Sequence, residues 1–396
     1  MKCHVAISTE TDLDRAIEAL HDSTSRSLGD DRPHLAFLFF SSYFSEEAET
    51  LHARIQERIA PQVLLGCMNN GVIGGTEEFE EQPAIVLWSA VLPNVTIFPI
   101  RLVAHEGQGG VSLRGWPESF ACEASRHDFF LFADPFSTPI DKMFSEIAQR
   151  CPGTLAIGGI ASGGTDSGEN RLILNQEIFD DGIVGVALSG KITLRTVVSQ
   201  GCQPIGEPYV ITKAHRNIIY ELGGTSMLER LKAIMHEIRQ AGDQSIARSI
   251  QVGLLMNEYM GKFGRGDFLI RDLMGADEKS GGVAISDVVR EGQTLQFHLR
   301  DARAADEELK KLLQDFRQTH GESAAKGALL FSCYCRGKRL FPDAHHDITV
   351  LRNEMGDLPV AGFFAGGEIG PVGGQNYLHG YTASMALFCE AASHEH

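Results

Sequence analysis

Three times along this chain the same order occurs: an apolar strand, a helix, a second apolar strand, a glycine-bearing bend and a further strand. That recurrence limits the folds open to it. The first pass is His34-Leu-Ala-Phe-Leu-Phe-Phe40, a helical stripe of Ala48, Leu51, Ile55 and Ile59, and Val63-Leu-Leu-Gly-Cys67 running into Met68-Asn-Asn-Gly-Val-Ile-Gly-Gly75. The second is Phe129-Phe-Leu-Phe-Ala133, a stripe of Ile140, Met143, Phe144 and Ile147, and Thr154-Leu-Ala-Ile157 entering Gly158-Gly-Ile-Ala-Ser-Gly-Gly164. The third is Gly327-Ala-Leu-Leu-Phe-Ser332, a loop from Cys333 to Arg339, and a shorter stripe of Ile348, Leu351 and Met355. It ends in the apolar run Val360 to Ala365 and a bend holding Gly366, Gly367, Glu368 and Gly370. Apolar residues at three- and four-residue steps mark buried helix faces, and unbroken apolar runs bounded by glycine mark buried strands. Residue identity between the passes is low, so the recurrence reads as structural duplication. The expected fold is mixed α/β, with repeated strand-helix-strand-Gly-turn-strand units around mixed sheets.

Local signals refine the passes. A short strand and a helix from Leu13 to Leu20 precede them, followed by a polar run from Asp22 to Arg32. Ser45 is placed as a helix N-cap with Glu46 and Glu47 in the first turn, and Pro61 stops that helix. Thr138 is placed as an N-cap, with Pro139 at the first helical position and Asp141 at capping-box spacing.

At 396 residues the chain exceeds what one hydrophobic core ordinarily serves, so two domains are expected. The composition changes near residue 200, where Cys202-Gln-Pro-Ile-Gly-Glu-Pro208 is rich in turn formers. Beyond it Ser226 and Glu229 form a capping box before Leu228, Leu231, Met235 and Ile238. Strands follow around 250–255, 268–270, 282–286 and 295–300, then a helix from about Ala304 to Phe316. The boundary divides the chain into residues 1–200 and 201–396.

A formal net charge of −17 argues against nucleic acid, which needs a basic footprint. No stretch approaches the roughly 20 apolar residues that span a bilayer. The N-terminus meets polar residues after three apolar ones, unlike a signal peptide. Eight scattered cysteines without a C-x-x-C pair fit a reducing, cytoplasmic setting.

The glycine bends lack the Walker lysine and the spaced glycines of a dinucleotide turn, so nucleotide binding is not expected. They either let backbone N–H groups approach a ligand or let the chain turn. Within them, Arg336 beside Gly337 suits a carboxylate, because its planar fork bonds both oxygens; the alternative is an ion pair with Glu368 or Asp343. Asn69 and Asn70 either offer amides to a ligand or tolerate a left-handed turn. His379 either meets a ligand or bonds a backbone carbonyl. Cys333, with His379 and Glu368, supplies the residue types of a nucleophile, base and orienter, or is a buried thiol.

Several of these stretches resemble the FIST family, the sensory domain named for F-box and intracellular signal transduction proteins. The N-terminal half is similar at Leu65-Gly-Cys-Met-Asn-Asn-Gly71 and at Ala156-Ile-Gly-Gly-Ile-Ala-Ser-Gly-Gly164. The C-terminal half is similar at Gly201-Cys-Gln-Pro-Ile-Gly206 and Phe297-His-Leu-Arg-Asp301. Its closest likeness lies in Ser332-Cys-Tyr-Cys-Arg-Gly337 and Gly362-Phe-Phe-Ala-Gly-Gly-Glu-Ile-Gly-Pro371. The resemblance implies a small-ligand sensory protein, binding a compound such as an amino acid and signalling through a separate partner. Haem with nitric oxide sensing is an alternative, with His379 or Cys333 as axial ligand; an enzyme using the Cys333 region is another. The expected ligand-binding residues are Asn69, Asn70, Gly158, Gly159, Ser162, Cys333, Arg336, Gly337, Gly366, Gly367, Glu368 and His379, with no metal and no membrane.

Overall fold

A computed structural model describes residues 1–107, 110–117, 127–240, 250–321 and 325–390. It divides into two compact units. The first is built from Met1–Val198, Leu309–Leu378 and Thr382–His396, the second from Ser199–Glu308 with His379–Tyr381.

The mixed α/β class expected from the sequence is what the first unit contains, and each pass makes the heart of one sheet. Leu35–Ser41 and Val63–Asn69 pair in parallel, as do Asp128–Ala133 with Ala156–Ile160 and Ala325–Cys333 with Val360–Ala365. A helix joins the two strands each time, because a parallel pair needs a crossover. The closing strands Ile85–Val91, Ile183–Gly190 and Ala383–Glu390 then lie antiparallel against the first strand of their own pass.

After the glycine bend each pass sends its hairpin to a different sheet. Gly71–Gly74 of the first pass pairs with Val360–Ala365 of the third. Leu172–Leu174 of the second pairs with Val63–Asn69 of the first. Glu368–Val372 of the third pairs with Ala156–Ile160 of the second. The exchange is cyclic, so no pass completes its own sheet and the three form one cooperative body.

Two threefold features fix its centre. Gly66, Gly158 and Gly362 stand opposite Leu38, Leu131 and Leu330 in the parallel ladders. A Cβ at these glycines would lie 2.2, 2.0 and 1.7 Å from the facing leucine carbonyl oxygen, so only glycine permits the strands to approach. One residue past those leucines, Phe39, Phe132 and Phe331 meet edge to face, with ring centroids 5.4, 6.4 and 5.7 Å apart. Phe363 packs 5.2 to 5.4 Å from all three. Rings therefore fill the middle.

Several local expectations are corrected. The first helix runs Leu13–Leu28, because Thr24 and Leu28 continue its buried face through the polar run; Asp12 caps it by accepting from the Arg15 N–H. Ser45 falls inside the short 3₁₀ turn Ser42–Glu47, and the helix proper is Ala48–Arg58. Thr138 does not cap a helix. Its hydroxyl donates to the Gly182 carbonyl, and the helix begins at Ile140 after Pro139. Cys3, Cys67, Cys202, Cys333, Cys335 and Cys389 form no disulfide, whereas Cys151 is disulfide-bonded, which the scattered spacing did not foreshadow.

The second unit is a sheet built from 202–300 with the helix Met227–Gln240 against it, buried through Met227, Leu228, Leu231 and Ile234. Tyr381 belongs to this unit, where its hydroxyl hydrogen-bonds Gln251 and Asp272.

Candidate functional site

The three glycine bends of the first unit come together at the carboxyl ends of the parallel strands, the usual ligand position in open α/β sheets. Ser162 is the joint. Its N–H donates to Asn69 Oδ1 at 3.3 Å, its hydroxyl accepts from the Asn70 N–H at 3.1 Å, and it donates to the Phe364 carbonyl at 2.5 Å. Gly366 N–H donates to the Ile160 carbonyl and Ile160 N–H to the Gly367 carbonyl. Asn69, Asn70, Ser162, Gly366 and Gly367 are thus brought together. Gly158 and Gly159 lie one step deeper, inside the ladder between Asp128–Ala133 and Glu368–Val372, where they allow close packing.

A buried polar cluster sits at the end of the third pass. Arg336, with no exposed surface, forks onto Asp347, Nε to Oδ2 at 2.7 Å and Nη2 to Oδ1 at 2.8 Å. The Ser332 hydroxyl also donates to Asp347 Oδ2, at 2.8 Å. The sequence reading weighed Glu368 and Asp343 as partners of Arg336; the carboxylate that takes its fork is Asp347, in the first turn of the helix His346–Met355. Burial alone would raise the Asp347 pKa, but the Arg336 charge and hydrogen bonds overcome it and hold the carboxyl well below its ordinary range. His346 adds a bond to Asp347 Oδ1 at 3.0 Å and stacks on Phe341 at 3.4 Å.

Glu78 reaches the same cluster from the first pass. Its hairpin crosses to the third sheet, and its Oε1 accepts from the Ile348 N–H at 3.0 Å, capping the helix that His345 leaves without a side-chain cap. Burial, then the Asp347 charge, push the Glu78 carboxyl up to about 8. Neighbouring Glu80 accepts from the Lys338 N–H at 3.0 Å and lies against Gly337, whose φ of +54° and lack of Cβ make that approach feasible.

Glu368 is the most unusual member. The ladders place Ile73, Ile173 and Ile369 opposite the three equivalent glycines; one step on stand Val72, Leu172 and Glu368. Two passes fill that buried slot with an aliphatic side chain and the third with a carboxyl that has no exposed surface. Burial pushes Glu368 far above the ordinary carboxylate range, against the opposing Thr382 N–H, Cys333 thiol and Arg336 charge. Its Oε2 accepts from Thr382 N–H at 3.1 Å, whereas Oε1 has no hydrogen-bond partner among the described residues. Glu78 repeats the pattern: it occupies the slot of Ile178 in the second pass, and its Oε2 is likewise unpartnered.

Cys333 is buried beside Glu368. A hydrogen bond with Cys335, then burial, push its thiol well above the ordinary value, so it is held as a thiol rather than a thiolate. A small cleft beside the bends, of about 30 Å³, is lined by Asn70, Gly71, Glu80, Glu81, Tyr334, Arg339 and Phe364. His379 is buried and belongs to the second unit.

Sequence reasoning missed Glu78 and Asp347. Glu78 lies in Glu77-Glu-Phe-Glu-Glu81, which reads as solvated charge, although Phe79 flanked by glutamates hinted at a strand with one buried face. Asp347 follows two histidines directly before the apolar stripe, where a first-turn acid belongs.

The chain matches the FIST N domain over residues 34–225 and the FIST C domain over residues 228–371. It belongs to the FIST family, a class of sensory, signal-transduction domains, here as an N and C pair. It is 38% identical over 391 residues to the uncharacterized protein Rv0628c of Mycobacterium tuberculosis, covering 98% of this chain and 100% of that one. It is 36% identical over 390 residues to the uncharacterized protein Mb0898c of Mycobacterium bovis, covering 98% and 99%. Among the described residues no helix is long and apolar enough to cross a membrane.

Proposed function

We propose that the protein senses an amino acid or similar small carboxylate at the strand ends of the third pass and signals through a separate partner protein. The observation that carries this reading is Glu368: a buried carboxyl with one unbonded oxygen, in a slot that the equivalent passes fill with valine and leucine. An unsatisfied buried polar atom costs roughly 1–3 kcal/mol. The fold has an aliphatic solution for the slot, so the carboxyl is retained for something that bonds it.

In this reading Arg336 acts from below. Its charge, balanced by Asp347, sits close enough to act on Glu368. The exposed guanidinium of Arg339, over the Tyr334 ring at 5.4 Å, meets the ligand carboxylate at the cleft mouth. A ligand ammonium then turns toward Glu368 and favours its ionised form, against the burial that raises its pKa. The cleft's 30 Å³ holds about one water, so the Cys333–Arg339 loop opens to admit ligand. That movement is what a partner reads, given unequal ligand affinity for the two loop states.

The test is a thermal-shift screen of amino acids, small carboxylates and haem. A ligand of the native state raises the melting temperature by mass action. An amino-acid hit that Glu368→Gln and Arg339→Gln both weaken supports the reading. A hit unaffected by either variant removes this site from it, a response to haem alone favours a haem sensor, and silence across the panel favours a ligand-free adaptor.

A further inference from the structure

A second opening in the first unit has a different chemistry. A cavity of about 640 Å³ is lined by the consecutive strands Ile183–Gly190 and Ile192–Ser199, which belong to different sheets, by Asp128 and Leu155, and by Phe316 and His320 of the helix Ala302–His320. Its volume lies in the range of small-molecule sites, which combine an apolar floor with a few polar groups. Leu188, Leu194 and Phe316 supply buried apolar surface, and Ser189, Thr193 and Thr196 supply hydroxyls.

The decisive residue is Arg195. In a chain of net charge −17, its guanidinium makes no ion pair and no hydrogen bond among the described residues, although it lines this cavity. The contrast is with Arg171, in a groove of about 450 Å³, whose guanidinium is engaged by the carbonyls of Gly168, Glu169 and Asn170 and by Glu49. His320, edge-on to Phe316 at 4.9 Å, stands near enough to Arg195 for that charge to add to burial in lowering its pKa. Its ring N–H faces the same lining as the Arg195 guanidinium. The one acid in the lining, Asp128, is buried and accepts from the Leu155 N–H at 3.2 Å.

We propose that this cavity is a binding site for an organic anion with an apolar body, a medium-chain or aryl carboxylate. The Arg195 fork takes the carboxylate, the His320 N–H and the threonine hydroxyls complete its hydrogen bonds, and Phe316 with the leucines receives the hydrocarbon. The site shares no residue with the Glu368 cluster, so it stands or falls independently of the reading above.

The experiment uses octanoate as probe on the full chain, followed by calorimetry and by displacement of anilinonaphthalene sulfonate fluorescence. Octanoate should bind the native protein, and inorganic phosphate should not displace it. Arg195→Gln should weaken octanoate by roughly tenfold or more, the worth of a charge-assisted hydrogen-bonded pair. Arg195→Lys should recover part of that loss, and Thr193→Trp should block the cavity. Both positions lie outside the buried core, so these variants keep the fold, and Glu368→Gln should bind octanoate like the parent. Equal octanoate affinity in the parent, Arg195→Gln and Thr193→Trp would overturn the proposal. So would no octanoate binding at all, or displacement by phosphate as effective as by octanoate, which would mark an inorganic-anion site.

Discussion

Replacing Glu78 by glutamine tests the electrostatics of the polar cluster without any ligand. Glu78 is 1% exposed, and its folded pKa of about 8 stands against an ordinary 4.5. Between those values the folded protein holds a proton that the unfolded chain has released. Stability from this group is therefore fully present below pH 4.5 and is lost as pH rises toward 8, at up to about 1.4 kcal/mol per pH unit. Asp347 acts with the opposite sign, because its folded pKa is lowered. Its contribution is present above the ordinary aspartate range and fades only in acid, outside this window. Glu368, raised like Glu78, adds a slope of the same sign that the variant leaves in place. Glutamine keeps the acceptor for the Ile348 N–H and cannot ionise. Glu78→Gln should therefore match the parent near pH 5 and exceed it by a few kcal/mol near pH 8. With roughly 2–4 °C per kcal/mol for a domain of 150–250 residues, melting curves at pH 5, 6, 7 and 8 should diverge by several degrees. Parallel curves for the two proteins would refute the assignment of a protonated, buried Glu78.

Gly362→Ala should lose more than about 3 kcal/mol or fail to fold, because its Cβ would stand 1.7 Å from the Leu330 carbonyl oxygen; Gly261→Ala, with nothing within 4 Å, is the control expected to melt like the parent. Asp347→Ala should cost about 3–5 kcal/mol by stranding a buried guanidinium, and adding Arg336→Met should recover part of it in denaturant titrations. Phe132→Ala should cost about 3–5 kcal/mol, and combining it with Phe331→Ala should depart from additivity, since the two rings meet at 5.7 Å.

Much of the site was legible because its residues flank glycine bends. Asn69, Ser162, Gly366, Gly367 and Glu368 were singled out from their place after apolar runs, and the fold gathers them. Arg336 was legible as a buried-strand-end guanidinium, but its partner was not, since Asp343 and Asp347 differ only in which one a helix turn presents. Glu78 was invisible for a stronger reason. In Glu77-Glu-Phe-Glu-Glu81 a one-residue shift of register decides which glutamate is buried, and that register is set by pairing with Gly71–Gly74.

The sequence alone determined the local units. Period and glycine placement specify three strand-helix-strand passes, because a buried face imposes its spacing on neighbouring residues. Only the tertiary structure decided how the passes complete one another. The three hairpins carry no local mark of their destination, and the cyclic exchange that seats each in another pass's sheet follows from burying all three at once around Phe39, Phe132 and Phe331. That exchange brings Glu78 of the first pass onto the helix of the third and sets Glu368 against the strand of the second. The cluster is thus a product of long-range pairing, whose energy no window of sequence contains.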